Sequence, residues 1–231
     1  MKLFSIIIAL FAFVNLSASV GIVKDIDGRV KVQHQDSIKK VKVKVGFEIQ
    51  KGDLIITSKR ATAVLQLKDG SDVVLAPNSS IHFKSITDVE QKEGKAYYHI
   101  TSRDAKNSLG IKTPFAIIGI KGTTFVIDAA KNGSVSLKEG LIGVSSIEKE
   151  FNLYKKKVLD EFAQYQAQQM GEFAKFQKDA GYEPPIKTKS FDLPAGKRIS
   201  FNGLRVNEDD WNVEDDDTFS VFESILAKTR R

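Results

Sequence analysis

Three histidines, His34, His82 and His99, and the aspartates Asp53, Asp69 and Asp72 are the groups best placed to move a proton. Acid–base chemistry needs such groups to converge on one reacting atom. The histidines fall on separate strand segments, and each aspartate stands beside Gly or Ser, where a carboxylate commonly bonds the backbone of its own turn. A glycosidase-type carboxylate pair is the enzymatic reading that remains, and turn formation accounts for the same residues. The chain has no HExxH, GxSxG, phosphate-loop or dinucleotide spacing, and its lack of cysteine removes thiol and disulfide chemistry. The expectation is a protein that is not an enzyme, with no catalytic, cofactor-binding or metal-binding residues.

Charge offers a second kind of chemistry. The formal net charge is +6 at pH 7. It is uneven: residues 20–146 carry a net +7, whereas residues 207–231 carry −5. In Lys40-Val41-Lys42-Val43-Lys44-Val45 the alternation puts three lysines on one side of a strand and three valines on the other, core-facing side. Lys40, Lys42 and Lys44 could contact an anion, or could equally keep a sheet edge from pairing with another copy. The run from Glu208 to Asp217 lacks the spacing of a calcium loop and reads as a solvated acidic linker flanking a last helix.

These groups must be carried mainly by β-strands. The dominant period from Val20 to Ser146 is two. Asp27-Gly28, Asp69-Gly70, Asn132-Gly133 and Asn202-Gly203 read as hairpin turns of the type that needs positive φ at both central residues. Strands are expected at 22–26, 29–33, 40–45, 54–57, 61–67, 71–76, 96–101, 123–129, 134–137 and 142–144. The implied fold is a mainly β, antiparallel sandwich or rolled barrel of short strands. A long amphipathic helix, or helical hairpin, is inserted before the last strands, and a short helix ends the chain.

The inserted helix is drawn at 147–181. Ser145 and Glu148 have capping-box spacing, and Phe151, Tyr154, Phe162, Tyr165, Phe173 and Phe176 recur at helical intervals before Gly181 and Pro184-Pro185 stop the pattern. Gly171 leaves open a break into two helices. An unbroken helix would run about 50 Å, too long for a small β domain to cover, so these six aromatics are candidate partner-binding residues. The remaining segments are a signal peptide at 1–19, a β domain at 20–146, returning strands at 186–206, an acidic linker at 207–217 and a terminal helix at 218–231. Lys2, the apolar run from Leu3 and Ser17-Ala18-Ser19 give the order of a secretory signal, cleaved after about Ser19, and predict a periplasmic or secreted protein.

Several phrases, in order, resemble the FecR domain of exported bacterial signalling proteins. They are Gly28-Arg29-Val30-Lys31-Val32, Gly52-Asp53-Leu54-Ile55-Ile56-Thr57, Ala61-Thr62-Ala63-Val64-Leu65-Gln66-Leu67 with Asp69-Gly70-Ser71, and Leu75-Ala76-Pro77-Asn78-Ser79-Ser80. The stretch Thr113-Pro114-Phe115 through Gly119-Ile120-Lys121-Gly122-Thr123-Thr124-Phe125 and Glu139-Gly140 complete the series, with Leu193-Pro194-Ala195-Gly196 as a late segment. Lys121 stands where the family commonly has arginine, so an anion contact there becomes a point charge rather than a bidentate one. The spanning helix and cytoplasmic sigma-factor segment of the iron-signalling members do not accompany the motif. The resemblance implies a non-enzymatic periplasmic binding or sensing module that works through protein–protein interaction in envelope signalling. Its partner would be a membrane receptor or regulator, or a second copy, and not nucleic acid. The alternative is a structural or adhesive envelope protein that holds anionic glycan on its basic surface, or assembles with itself through the helix.

Overall fold

The computed structural model describes residues 19–101, 108–120, 122–130, 132–155, 161 and 185–230. Twenty strands and one long C-terminal helix are seen among them. In chain order the strands are β1 (Ser19–Asp27), β2 (Val30–Gln33), β3 (Lys40–Lys42), β4 (Glu48–Gln50), β5 (Leu54–Thr57), β6 (Thr62–Leu67) and β7 (Asp72–Leu75). Next come β8 (Ser80–Phe83), β9 (Asp88–Glu93), β10 (Lys95–His99), β11 (Leu109–Lys112), β12 (Ile117–Ile120), β13 (Thr124–Asp128) and β14 (Ser134–Glu139). The last are β15 (Leu141–Ser145), β16 (Phe151–Lys155), β17 (Ile186–Thr188), β18 (Ser190–Pro194), β19 (Lys197–Asn202) and β20 (Arg205–Asp210), followed by the helix Val213–Thr229.

The strands form two sheets, and the chain passes back and forth between them. The larger sheet has the order β17-β16-β20-β19-β14-β13-β10-β7-β6-β1-β4, and the smaller one β18-β15-β12-β11-β9-β8-β5-β2-β3. Neither order closes on itself, so the fold is a two-layered β structure and not a barrel. Pairing is antiparallel except for β9 with β11 and β16 with β20. Alternation sends one side chain in two inward, where residues such as Val23, Ile55, Leu65, Phe83, Ile111, Phe125 and Leu137 share one core. Tyr98 stacks on Phe125 at 4.9 Å within it, and its buried hydroxyl donates to Gln91, whose amide in turn donates to two backbone carbonyls.

Glycine marks the corners between sheets. Asp27-Gly28 does not make the expected hairpin: β1 and β2 lie in different sheets, and Gly28, at φ 84°, turns the chain between them. A Cβ there would lie 2.9 Å from Ala61. Gly140 does the same between β14 and β15, with φ 89° and Thr123 and Gly122 too close for a side chain. The two-positive-φ turn geometry is also overturned. Asp69-Gly70 and Asn202-Gly203 have positive φ only at glycine, and Gly133 is not among the positive-φ residues. At Leu67–Ser71 the backbone bonds Gly70 N to Leu67 O and Leu67 N to Ser71 O instead give a longer turn closed by an αL glycine.

Three further readings change. The helical insertion does not begin at 147: Ser145 ends β15, and Phe151–Lys155 is strand β16, parallel to β20. Residues 151–154 read Phe-Asn-Leu-Tyr, whose alternation fits a half-buried strand as well as its spacing fits a helix, and tertiary pairing decides between them. The remainder of the insertion, residues 156–160 and 162–181, lies outside the described residues, as do residues 1–18 of the predicted signal peptide. The lysine–valine run is shorter than expected: β3 ends at Lys42, and Val41 (43% exposed) and Val45 (59%) face solvent, leaving Val43 alone in the core. The acidic linker is not a linker, because β20 continues to Asp210 and the terminal helix starts at Val213, not at 218.

Candidate functional site

The outer face of the larger sheet is built in two parallel rows. Register sets Val64, Val74, Tyr97 and Val126 opposite one another on β6, β7, β10 and β13, and the row continues through Ser136 on β14 and Arg198 on β19. One step along each strand on the same face comes a polar row: Gln66, Asp72, His99, Thr124 and Glu139.

The C-terminal helix lies across the apolar row. Phe219, Phe222 and Leu226 bury against Val64, Val74, Tyr97 and Val126 in a second core separate from the one between the sheets. Tyr97 meets Phe219 edge-on at 5.7 Å and stacks on Phe222 at 5.8 Å, while Trp211 packs on Phe219. The dimensions match: five inter-strand steps from β14 to β1 span about 24 Å, and the helix from Asp215 to Thr229 rises about 21 Å.

Its ends are pinned by charge. Asn212 and Asp215 form a capping box, Glu214, Asp215 and Asp216 occupy the first turn, and the indole of Trp211 donates to Asp216. Buried Asp215 accepts from Ser136 at 2.6 Å, and Arg198 lies 3.4 Å from Glu214 and 3.8 Å from Asp215. Lys138 pairs with Glu223, and Lys197 with Asp210, whose hydrogen bond raises the lysine above its ordinary range. At the far end Arg230 donates to buried Asp72 at 2.6 Å, and Thr229 to Asp25. The acidic tail is thus held by the basic body.

Between the helix and the polar row runs an open cleft of about 440 Å³, lined by Tyr97, His99, Thr124, Glu139, Glu223 and Arg230, among others. His99 Nδ1 lies 3.1 Å from Thr124 Oγ1, which donates to Glu139 Oε2 at 3.3 Å. Burial, reinforced by Glu223 and Glu139, pushes the Tyr97 phenol up to about 12.

Of the residues singled out from sequence, His99 lines this cleft and Asp72 stands beside it in the polar row, whereas the partner-binding and anion-contact candidates do not meet here. Phe151 is 2% exposed, packs on Phe191 and Phe201, and so offers nothing to a partner. Tyr154 lies under the Arg205 guanidinium on β16. Phe162, Tyr165, Phe173, Phe176 and Lys121 lie outside the described residues. Lys40, Lys42 and Lys44 are exposed at the β3 edge of the smaller sheet, on the other layer from the helix. His34 and His82 share a shallow hollow on that layer: His34 is bound to buried Asp53 at 2.7 Å, and His82 lies near Glu90. Burial would raise Glu90, but the hydrogen bond and charge of Lys84 bring it below its ordinary value. Asp53 and Asp69 serve their turns, accepting from Gln50 N and from Ser71. Asp72 does not: it sits on β7 and anchors Arg230. Sequence reading missed Asp215 and Tyr97, and gave Asp72 to a turn, because nothing local announces contacts with residues far along the chain. Tyr97-Tyr98 did carry a signal, since two adjacent buried aromatics on a strand require both of its faces to be covered.

Residues 53–143 match the family model described as FecR protein. The matched stretch runs from the turn before β5 into β15, so it contains the apolar row as far as Ser136 and the whole polar row, but not the helix that covers them. Two crystal structures, at 2.50 and 1.65 Å resolution, of a protein from Parabacteroides distasonis ATCC 8503 described as a candidate anti-sigma factor are similar in fold. Each is 16% identical with a TM-score of 0.48, over 70% of this chain and 61% of that one. This chain therefore spans less than two thirds of that protein's length. No curated protein matches the chain.

Proposed function

We propose that this protein is a non-enzymatic binding or sensing module that works outside the cytoplasm through protein–protein interaction, in the manner of FecR-type signalling proteins. The FecR match over residues 53–143 carries this reading. A signal-peptide pattern ahead of Ser19, where the first described strand begins, supports export. N-terminal sequencing of the protein recovered from cells should give Val20 as the first residue; an intact Met1 would remove the periplasmic assignment.

The arm that meets the partner is residues 156–184, with Phe162, Tyr165, Phe173 and Phe176 as its contact positions. Leu153 pairs with Ile186, so the strands that flank this segment lie side by side at the edge of the larger sheet. In-cell crosslinking of the full chain, and of a chain with Lys155 joined to Pro185 through two glycines, tests the assignment. Capture of one membrane receptor or regulator that disappears with the segment is the expected result. Capture of glycan alone, or of a second copy alone, would move the reading to an adhesive or self-assembling envelope protein, for which the exposed lysines Lys40, Lys42 and Lys44 would be the polymer contact.

A further inference from the structure

The hydrogen bonds along the polar row fix which of its groups donate and which accept. A carboxylate can only accept, so the single hydroxyl proton of Thr124 goes to Glu139. Toward His99, Thr124 must therefore accept, so Nδ1 carries a proton and the lone pair of the uncharged ring would lie on Nε2. Glu139 pairs with no cation among the described residues. Tyr97 lines the cleft, and no described residue hydrogen-bonds its hydroxyl. By contrast the neighbouring cations are engaged, Arg230 by Asp72 and Lys138 by Glu223.

A carboxylate, a phenolic oxygen and an imidazole lone pair thus line one cleft with acceptor capacity unused, beside the aliphatic surface of Leu226 and Ala227. A group with several N–H donors, a positive charge and a short apolar stem fits them. We propose that the cleft between the C-terminal helix and the polar row binds a small organic cation, an alkylammonium whose nitrogen meets Glu139, Tyr97 and His99 while its chain lies on Leu226 and Ala227. The site is independent of the arm assigned to the protein partner, so either reading can fail without the other.

Butylammonium and butanoate, matched in shape and opposite in charge, are the probes, and the protein is the chain from Val20 to Arg231. Binding is read from the backbone amide NMR shifts of Thr124 and Glu139 and from the fluorescence of Trp211, the only tryptophan. Butylammonium should give a saturable shift with a Kd on the order of millimolar, as its few heavy atoms permit, and butanoate none. Glu139→Gln, at an exposed position, should weaken binding about tenfold, and Tyr97→Phe, which keeps the ring against Phe219 and Phe222, several-fold. No saturation by butylammonium, an equal response to butanoate, or unchanged affinity in Glu139→Gln with near-UV circular dichroism intact would overturn the proposal.

Discussion

Ser136 on β14 donates its hydroxyl to Asp215 across 79 residues of sequence, at 2.6 Å and out of contact with water. The same carboxylate caps its own helix by accepting from the backbone of Asn212. One side chain therefore both starts the C-terminal helix and fixes where on the sheet it starts. A buried carboxylate that loses a donor bears the cost of its own desolvation.

Ser136→Ala should lower stability by about 1–3 kcal/mol, because it takes the hydroxyl donor from the buried Oδ1 of Asp215 while leaving the helix sequence intact. Urea unfolding followed by Trp211 fluorescence measures the change. Ser134→Ala, two residues earlier on the same strand, is the control and should stay within about 0.5 kcal/mol. Equal effects of the two substitutions would mean that the buried bond does not hold the helix.

Alkaline pH should loosen the fold at Tyr97. Its phenol is raised to about 12, first by burial and then by Glu223 and Glu139, whereas an unfolded tyrosine ionises near 10. Between those values the unfolded chain releases a proton that the folded chain keeps, so the unfolded state binds fewer protons and stability falls as pH rises from about 10 to about 12. Burial raises Tyr98 as well, so part of the slope belongs to it. Unfolding midpoints of the parent and of Tyr97→Phe across this window should show a shallower decline in the variant; parallel curves would contradict the assignment.

Excising residues 156–184 should leave a folded body. Leu153 and Ile186 are cross-strand neighbours, so joining Lys155 to Pro185 through two glycines closes a hairpin across a gap already made. The melting temperature should stay within a few degrees of the parent. Removal of residues 147–181, the span that periodicity alone marks, takes Phe151 and Leu153 out of the core, and should cost several kcal/mol. Comparison of the two deletions by calorimetry tests this, and a comparable loss in both would refute the hairpin closure.

Local patterns that agree with tertiary structure were readable. The alternation in Ala61-Thr62-Ala63-Val64-Leu65-Gln66-Leu67 and the run Val73-Val74-Leu75 announce strands, and both are strands. Phe151-Asn152-Leu153-Tyr154 was misread because four residues cannot separate a period of two from one of 3.6, and its parallel partner, β20, lies some fifty residues on. Asp27-Gly28 announced a bend correctly but not its direction, since a turn between strands of one sheet and a corner between two sheets use the same residues. The cleft was least legible. Glu139 appeared in a family phrase, but its neighbours Glu223 and Arg230 come from a helix that sequence reading placed behind a solvated linker.

The order in which the helix and the sheet face are made has a consequence for biogenesis. Val64, Val74, Tyr97 and Val126 all precede the helix that shields them, and Thr229, at its end, reaches back to Asp25 in the first strand. A chain emerging N-terminus first, from a ribosome or a translocation pore, presents this apolar row bare until the helix Val213–Thr229 is free. For that interval the nascent protein has a surface suited to a chaperone, and docking of the helix that carries Phe219, Phe222 and Leu226 is the event that ends the need for one.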